Sequence, residues 1–368
     1  MLTLSTLSAF ALAAPPVSLA GDFGEPRIIV AAPENPRFAH LSWPKVVQAR
    51  DGTLIVAYVA GRFHGTHGEG CPAVSLSTDG GKTFTPPKIL KEYSAGDAYT
   101  SGGNVALGVA PDGSVALLSM AFKGDEANTI DGWRSTDAGK TWHASDVARL
   151  AENKTGSVYG HVFTLPEKKL AVVGHFRRGS TTRTAGLWIS YSTDFGQSWG
   201  DPHTITANGL VEPAFVFASD RIVGWARPNS TPAWYSQITS DDMGKTWKVE
   251  SKVLEASPAK GVQYPSPGLF VDPHDSTRLL ALVSQRFSAD AGNGLYGRID
   301  LYSAHGKDLQ WKKLGTLAQF PRTLKERGDL TYGWMTPTTG NKWYAVFYCG
   351  KHKGESDIYG WEFEMPER

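Results

Sequence analysis

Ser77-Thr78-Asp79-Gly80-Gly81-Lys82-Thr83-Phe84 returns as Ser135-Thr136-Asp137-Ala138-Gly139-Lys140-Thr141-Trp142. It returns again as Ser192-Thr193-Asp194-Phe195-Gly196-Gln197-Ser198-Trp199 and as Ser240-Asp241-Asp242-Met243-Gly244-Lys245-Thr246-Trp247. The four central aspartates lie 58, 57 and 48 residues apart. A regular period of that size means an array of similar supersecondary units. Each part of the motif has a local physical role. The short Asp accepts backbone N–H bonds inside a turn, the Gly supplies a conformation closed to other residues, and the terminal aromatic packs between sheets. The motif therefore reads as a staple joining strands, not as a ligand site.

Outward from the motif the grammar repeats. Val46-Val47-Gln48-Ala49-Arg50-Asp51-Gly52-Thr53-Leu54-Ile55-Val56-Ala57-Tyr58 reads as a hairpin turning at Asp-Gly, and Val105 to Leu118 repeats it around Asp112-Gly113. The segments Val162 to Val173, Phe215 to Gly224, Leu269 to Val283 and Met335 to Tyr348 read as the matching hairpins of later units. Six units of four strands predict an all-β, six-bladed β-propeller with four-stranded antiparallel blades, spanning 21–368 as one domain. The segment Pro26 to Ala32 is expected to add a strand to the last unit.

Composition agrees with short strands and tight turns. Among 368 residues there are 40 Gly, 22 Pro and 12 Trp, and 41% are hydrophobic. With 37 basic against 36 acidic residues the net charge is +1, so neither nucleic acid nor an anionic membrane is indicated as a partner. Residues 1–20 are apolar and end Ser18-Leu19-Ala20, which reads as an export signal and predicts a periplasmic or extracellular protein. Cys71 and Cys349 allow one disulfide, two free thiols, or a metal site with His64, His67 and His352. No cofactor and no metal is assigned.

The four Ser-x-Asp-x-Gly-x-Thr/Ser-aromatic copies resemble the Asp-box, or BNR, repeats of the sialidase (neuraminidase) superfamily. The resemblance covers essentially the whole chain after residue 20, and it implies a site where the first strands of the units meet. Six neighbourhoods qualify: Ser42-Trp43-Pro44, Ser101 to Asn104, Tyr159-Gly160-His161, Glu212-Pro213, Tyr264-Pro265 and Tyr332-Gly333-Trp334. In order and spacing, Glu212, Arg227 fifteen residues later, Arg298 (with Arg286 as its rival) and Tyr332 resemble the family's Glu, two arginines and nucleophilic Tyr.

The chemistry ties these residue types together. A sialic acid carries a carboxylate on its anomeric carbon, so a neutral Tyr deprotonated by Glu can attack where a carboxylate would be repelled. Arginines grip that carboxylate with forked hydrogen bonds. Two departures stand out. Ser42-Trp43-Pro44 stands where the family carries an arginine, and the loop Gly61-Arg62-Phe63-His64-Gly65-Thr66-His67-Gly68-Glu69-Gly70-Cys71 lacks the family's acid Asp. His67 is therefore expected to donate the proton, with His64 or Glu69 as substitutes. Arg62, His64 and Trp43 are expected to contact substrate. The implied activity is release of a terminal sialic acid or related acidic sugar from glycans. A uronic-acid polysaccharide lyase and a non-catalytic glycan-binding propeller are the competing readings.

Overall fold

The computed structural model describes residues 18–65, 67–177, 186–207, 209–228, 234–251, 253–254, 260–324 and 327–366. Most of the apolar segment read as an export signal lies outside them. Leu19 is buried, and its carbonyl accepts the Gln319 N–H at 3.2 Å. The described chain is strands and turns, with two short 3-10 segments at Pro166–Lys168 and Arg322–Leu324.

The strands fall into six consecutive antiparallel groups. The first holds His40–Gln48, Leu54–Gly61, Cys71–Ser77 and Lys88–Ile89, and the second Ser101–Val109, Val115–Lys123, Ala127–Ser135 and His143–Ala144. The third holds Gly156–Thr164, Leu170–Phe176, Leu187–Ser192 and His203–Thr206. The fourth holds Leu210–Ala218, Arg221–Pro228, Ser236–Ser240 and Lys248–Ser251. In the fifth, Asp275–Phe287 pairs with both Val262–Gln263 and Gly268–Asp272, and Leu295–His305 and Lys312–Pro321 follow. The sixth holds Asp329–Pro337, Lys342–Gly350 and Ser356–Glu364, and Arg27–Val30 completes it as the predicted added strand.

The hydrogen-bonding differs from six equal blades. A parallel bridge between His40 and Ser356 joins the first group to the sixth, and a second, at Gly160 to Ala106, joins the third to the second. Among the described residues the strands therefore form four sheets, and none of them closes on itself. The inner strands nevertheless adjoin in succession, first to second through to sixth, and the sixth adjoins the first. The second strands are buried on both faces as well, as the eight buried residues of Leu54–Gly61 illustrate, so they read as continuous apolar runs.

The recurring motif folds as the sequence predicts. The Ser192 hydroxyl donates to Asp194 Oδ1 at 2.7 Å and accepts the Gly196 N–H at 2.9 Å. Asp194 in turn accepts the Ser198 N–H at 2.9 Å and the Ser198 hydroxyl at 2.5 Å. Phe195 and Gly196 are both left-handed, at φ 58° and 84°, and Trp199 is buried behind them. Asp79, Asp137 and Asp242 make the same bonds to Thr83, Thr141 and Thr246.

Candidate active site

The inner strands share one irregularity. Pairing with the next strand skips register between Ser42 and Lys45, Gly102 and Val105, Tyr159 and Val162, Val211 and Ala214, and Thr331 and Trp334. In the fifth group the strand is interrupted between Gln263 and Gly268. These bulges are the six neighbourhoods singled out in the sequence. A bulge leaves one residue unpaired and re-aims its side chain. Trp43, Glu212 and Tyr332 sit there at φ 54°, 52° and 55°, a conformation that side-chain-bearing residues adopt at a cost and that concentrates at functional sites.

These bulges bring together groups from distant parts of the chain. Arg227 Nε donates to Glu212 Oε2 at 2.7 Å, and the Tyr332 hydroxyl donates to the same oxygen at 3.3 Å. Ser266, from the interruption in the fifth group, also donates to it. The Glu212 N–H donates to His175 Nδ1 at 3.2 Å. Arg286 lies beside Tyr332, its guanidinium carbon 5.4 Å from the ring centroid. Its Nη2 donates to the Leu330 carbonyl at 2.7 Å, to the Tyr348 hydroxyl at 3.0 Å and to Asp329 Oδ1 at 3.1 Å. Among the described residues, the Arg227 Nη groups have no protein partner, which leaves a fork open to an incoming anion.

The electrostatics set Glu212 and Tyr332 apart. Burial pushes the Glu212 carboxyl up, but the Arg227 charge and the bonds from Arg227 and Ser266 outweigh it and hold it near 2. Burial, reinforced by the Glu212 charge, pushes the Tyr332 hydroxyl up to about 12. The resting pair is therefore an ionised carboxylate accepting from a neutral phenol. Beyond the first-group bulge, Lys45 is completely buried. Its Nζ stands 4.2 Å from the Tyr159 ring centroid and 4.7 Å from that of Trp334, and burial lowers its pKa to about 7. Nothing in the sequence reading anticipated this lysine. The signal was a lone cation in an otherwise apolar inner strand.

Other expected residues are distributed differently. Trp43 and His64 join the cluster: the Trp43 ring is 5.0 Å from His64 and 6.5 Å from Tyr332. Arg298 stands apart from Tyr332, pairing with Asp300 at 3.0 Å and lining a cleft of about 500 Å³ with Tyr264 and Tyr302. Its rival Arg286 holds the place beside Tyr332. Arg62 is largely exposed and pairs with Glu69 at 3.2 Å. Arg37, the arginine nearest before Ser42-Trp43-Pro44, is taken up by Glu92, the Tyr93 carbonyl and Ser94. His67 is exposed on the loop carrying His64. Cys71 and Cys349 are both buried free thiols.

Comparison with known proteins places the fold. The BNR repeat-like domain matches residues 91–353. No curated protein sequence matches significantly. Among solved structures, a protein of unknown function from Dyadobacter fermentans DSM 18053 superposes with a TM-score of 0.70 at 18% identity, covering 94% of this chain and 99% of that one. The Hadza microbial sialidase Hz136 superposes with a TM-score of 0.67 at 17% identity, over 92% of this chain and 68% of that one. NanB sialidase from Streptococcus pneumoniae superposes with a TM-score of 0.65 at 12% identity, over 95% of this chain and 71% of that one. At these identities the likeness is one of fold. The family match spans most of the chain, and the protein belongs to the BNR repeat-like domain family, with a fold like that of the sialidases.

Proposed function

We propose that this protein is a glycosidase that removes a terminal acidic sugar, sialic acid in the first instance, from glycans. We further read the six strand groups as the blades of one propeller whose inner strands surround the site, a reading supported by their cyclic adjacency. The observation that carries the function is the Tyr332 hydroxyl donating to Glu212 Oε2, with Arg227 on the same oxygen and Arg286 beside the ring. A neutral nucleophile flanked by two arginines suits a sugar whose reacting carbon bears an anion.

In the first step the Tyr332 oxygen bonds to the anomeric carbon as its proton passes to Glu212, and the bond to the leaving oxygen breaks. Arg227, with its open Nη groups, and Arg286 hold the substrate carboxylate. His67 gives its proton to the leaving oxygen. In the second step His67 takes a proton from water as the water oxygen bonds to the anomeric carbon, the bond from that carbon to the Tyr332 oxygen breaks, and Tyr332 recovers its proton from Glu212. Trp43 offers a ring face to the sugar. On the apolar residues 1–20 we place this activity outside the cytoplasm.

The test is release of free sialic acid from sialyllactose by wild type, Tyr332→Phe and Glu212→Gln. Tyr332→Phe deletes one hydroxyl and is expected to lower kcat by roughly a thousandfold or more, with the thermal midpoint unchanged. Glu212→Gln is expected to lose less, since the phenol can still ionise slowly. Near wild-type turnover by a stable Tyr332→Phe protein makes Tyr332 a core aromatic and ends the proposal.

A further inference from the structure

Beside Tyr332, where the first strand group meets the sixth, two histidines converge on one carboxylate oxygen. His40 Nε2 is 3.2 Å and His64 Nδ1 2.8 Å from Asp329 Oδ2. His40 is 1% exposed, and its Nδ1 lies 2.9 Å from the Gly354 carbonyl. A carbonyl only accepts, so His40 Nδ1 carries a proton, and in the neutral ring Nε2 is left with a lone pair aimed at the carboxylate. That nitrogen is buried and has no hydrogen-bond partner. With the ring neutral, two lone-pair atoms face each other at this distance, an arrangement relieved by a positive centre between them, either a proton or a metal ion.

We infer that His40, His64 and Asp329 form a binding site for a divalent transition-metal ion, zinc being the best match. Donor type, spacing and surroundings support this. The donors are two imidazoles and a carboxylate, a set that suits zinc and its neighbours and not the oxygen-seeking calcium or magnesium. Two of the three donor separations, 3.2 and 2.8 Å, approach the edge of a zinc tetrahedron, about 3.3 Å for ligands at about 2.0 Å, and all three donor atoms lie within 4.8 Å of one another. The outer contacts are those that orient metal ligands. Gly354 fixes the His40 tautomer, and Tyr348 donates to Asp329 Oδ1 at 2.7 Å, leaving Oδ2 for the ion. The His352 ring stacks on the His64 ring at 4.8 Å, and the His352 carbonyl accepts the His64 backbone N–H at 3.1 Å, so His352 braces both the ring and the backbone of His64.

Three protein ligands leave a fourth position for water or substrate, as in zinc sites that act on a ligand. This consequence rests on the proposed function: the ion would put positive charge near Trp43, in the strand where Ser42-Trp43-Pro44 carries no arginine. The site itself is independent of that reading.

The experiment is calorimetric titration of the full chain, freed of metal by chelator and dialysis, with zinc chloride. Wild type is expected to take up one zinc per chain, and His40→Gln and Asp329→Asn are each expected to bind it roughly 100-fold more weakly or worse. Cobalt(II) chloride added to wild type gives a reading that needs no variant. The intense visible bands of a four- or five-coordinate ion support the site, and the faint spectrum of the hydrated ion opposes it. No zinc uptake by wild type, or equal uptake by both folded variants, overturns the inference. If either variant fails to fold, the cobalt spectrum decides. Zinc bound without any sialoside cleavage would leave this site standing while the proposed function fell.

Discussion

Lys45 shows how much a single residue in this site costs the fold. Burial lowers its pKa to about 7, against an ordinary 10.5, so between those values the unfolded chain holds the proton more often than the folded one. Folding stability from this residue therefore rises as pH climbs from 7 to 10.5, and the full penalty is present below 7. The penalty is on the order of 5 kcal/mol. Lys45→Met is expected to be more stable than wild type at pH 6, with the gap narrowing at pH 10, as read by urea unfolding at both values. A gap that does not change with pH would mean that Lys45 reaches solvent. His67 is a different case, an exposed side chain whose proposed role lies in the reaction. His67→Ala is expected to lower turnover of natural sialosides at least tenfold more than turnover of an aryl sialoside with a good leaving group, which needs little protonation. Equal losses on both substrates would move the proton donor elsewhere in the loop.

At the scale of the element, turns and bulges do opposite work. The Asp motif is a turn satisfied from within, and its residue types could be read directly because every bond in it is local. Asp194→Ala removes three short-range acceptor contacts and leaves the Ser198 N–H without its partner, so a loss of about 1–2 kcal/mol is expected in chemical denaturation. A change within a few tenths would show that water replaces the carboxylate at no cost. The bulges were legible as neighbourhoods, because Trp43-Pro44, Gly160, Glu212-Pro213 and Tyr264-Pro265 break otherwise apolar strands. Their contents were only partly legible. Arg286 and Arg298 lie on adjacent antiparallel strands, with Arg298 opposite Gln285, and sequence order alone could not say which guanidinium reaches Tyr332. Register decides between them: Arg298 pairs with Gln285 and Arg286 with Gly297, so the two side chains leave opposite faces of the sheet.

At the scale of the molecule, the site exists because the end of the chain returns to its beginning. His40 pairs with Ser356 and His64 meets Asp329, contacts between residues roughly 300 positions apart that no local pattern announces. The repeat predicted the number of strand groups, and the hydrogen-bonding then joined them as four sheets instead of six separate blades. Glu212 in the fourth group meets Tyr332 in the sixth across 120 positions of sequence, so the proposed nucleophile and its base come together only through long-range packing. The most direct measurement of that account is a proton NMR time course of the intact protein acting on an α-sialoside. Attack by Tyr332 followed by water inverts the anomeric carbon twice, so α-configured sialic acid should appear first and then mutarotate. The β anomer appearing first, the vinyl signal of an unsaturated sugar, or no cleavage at all would contradict it.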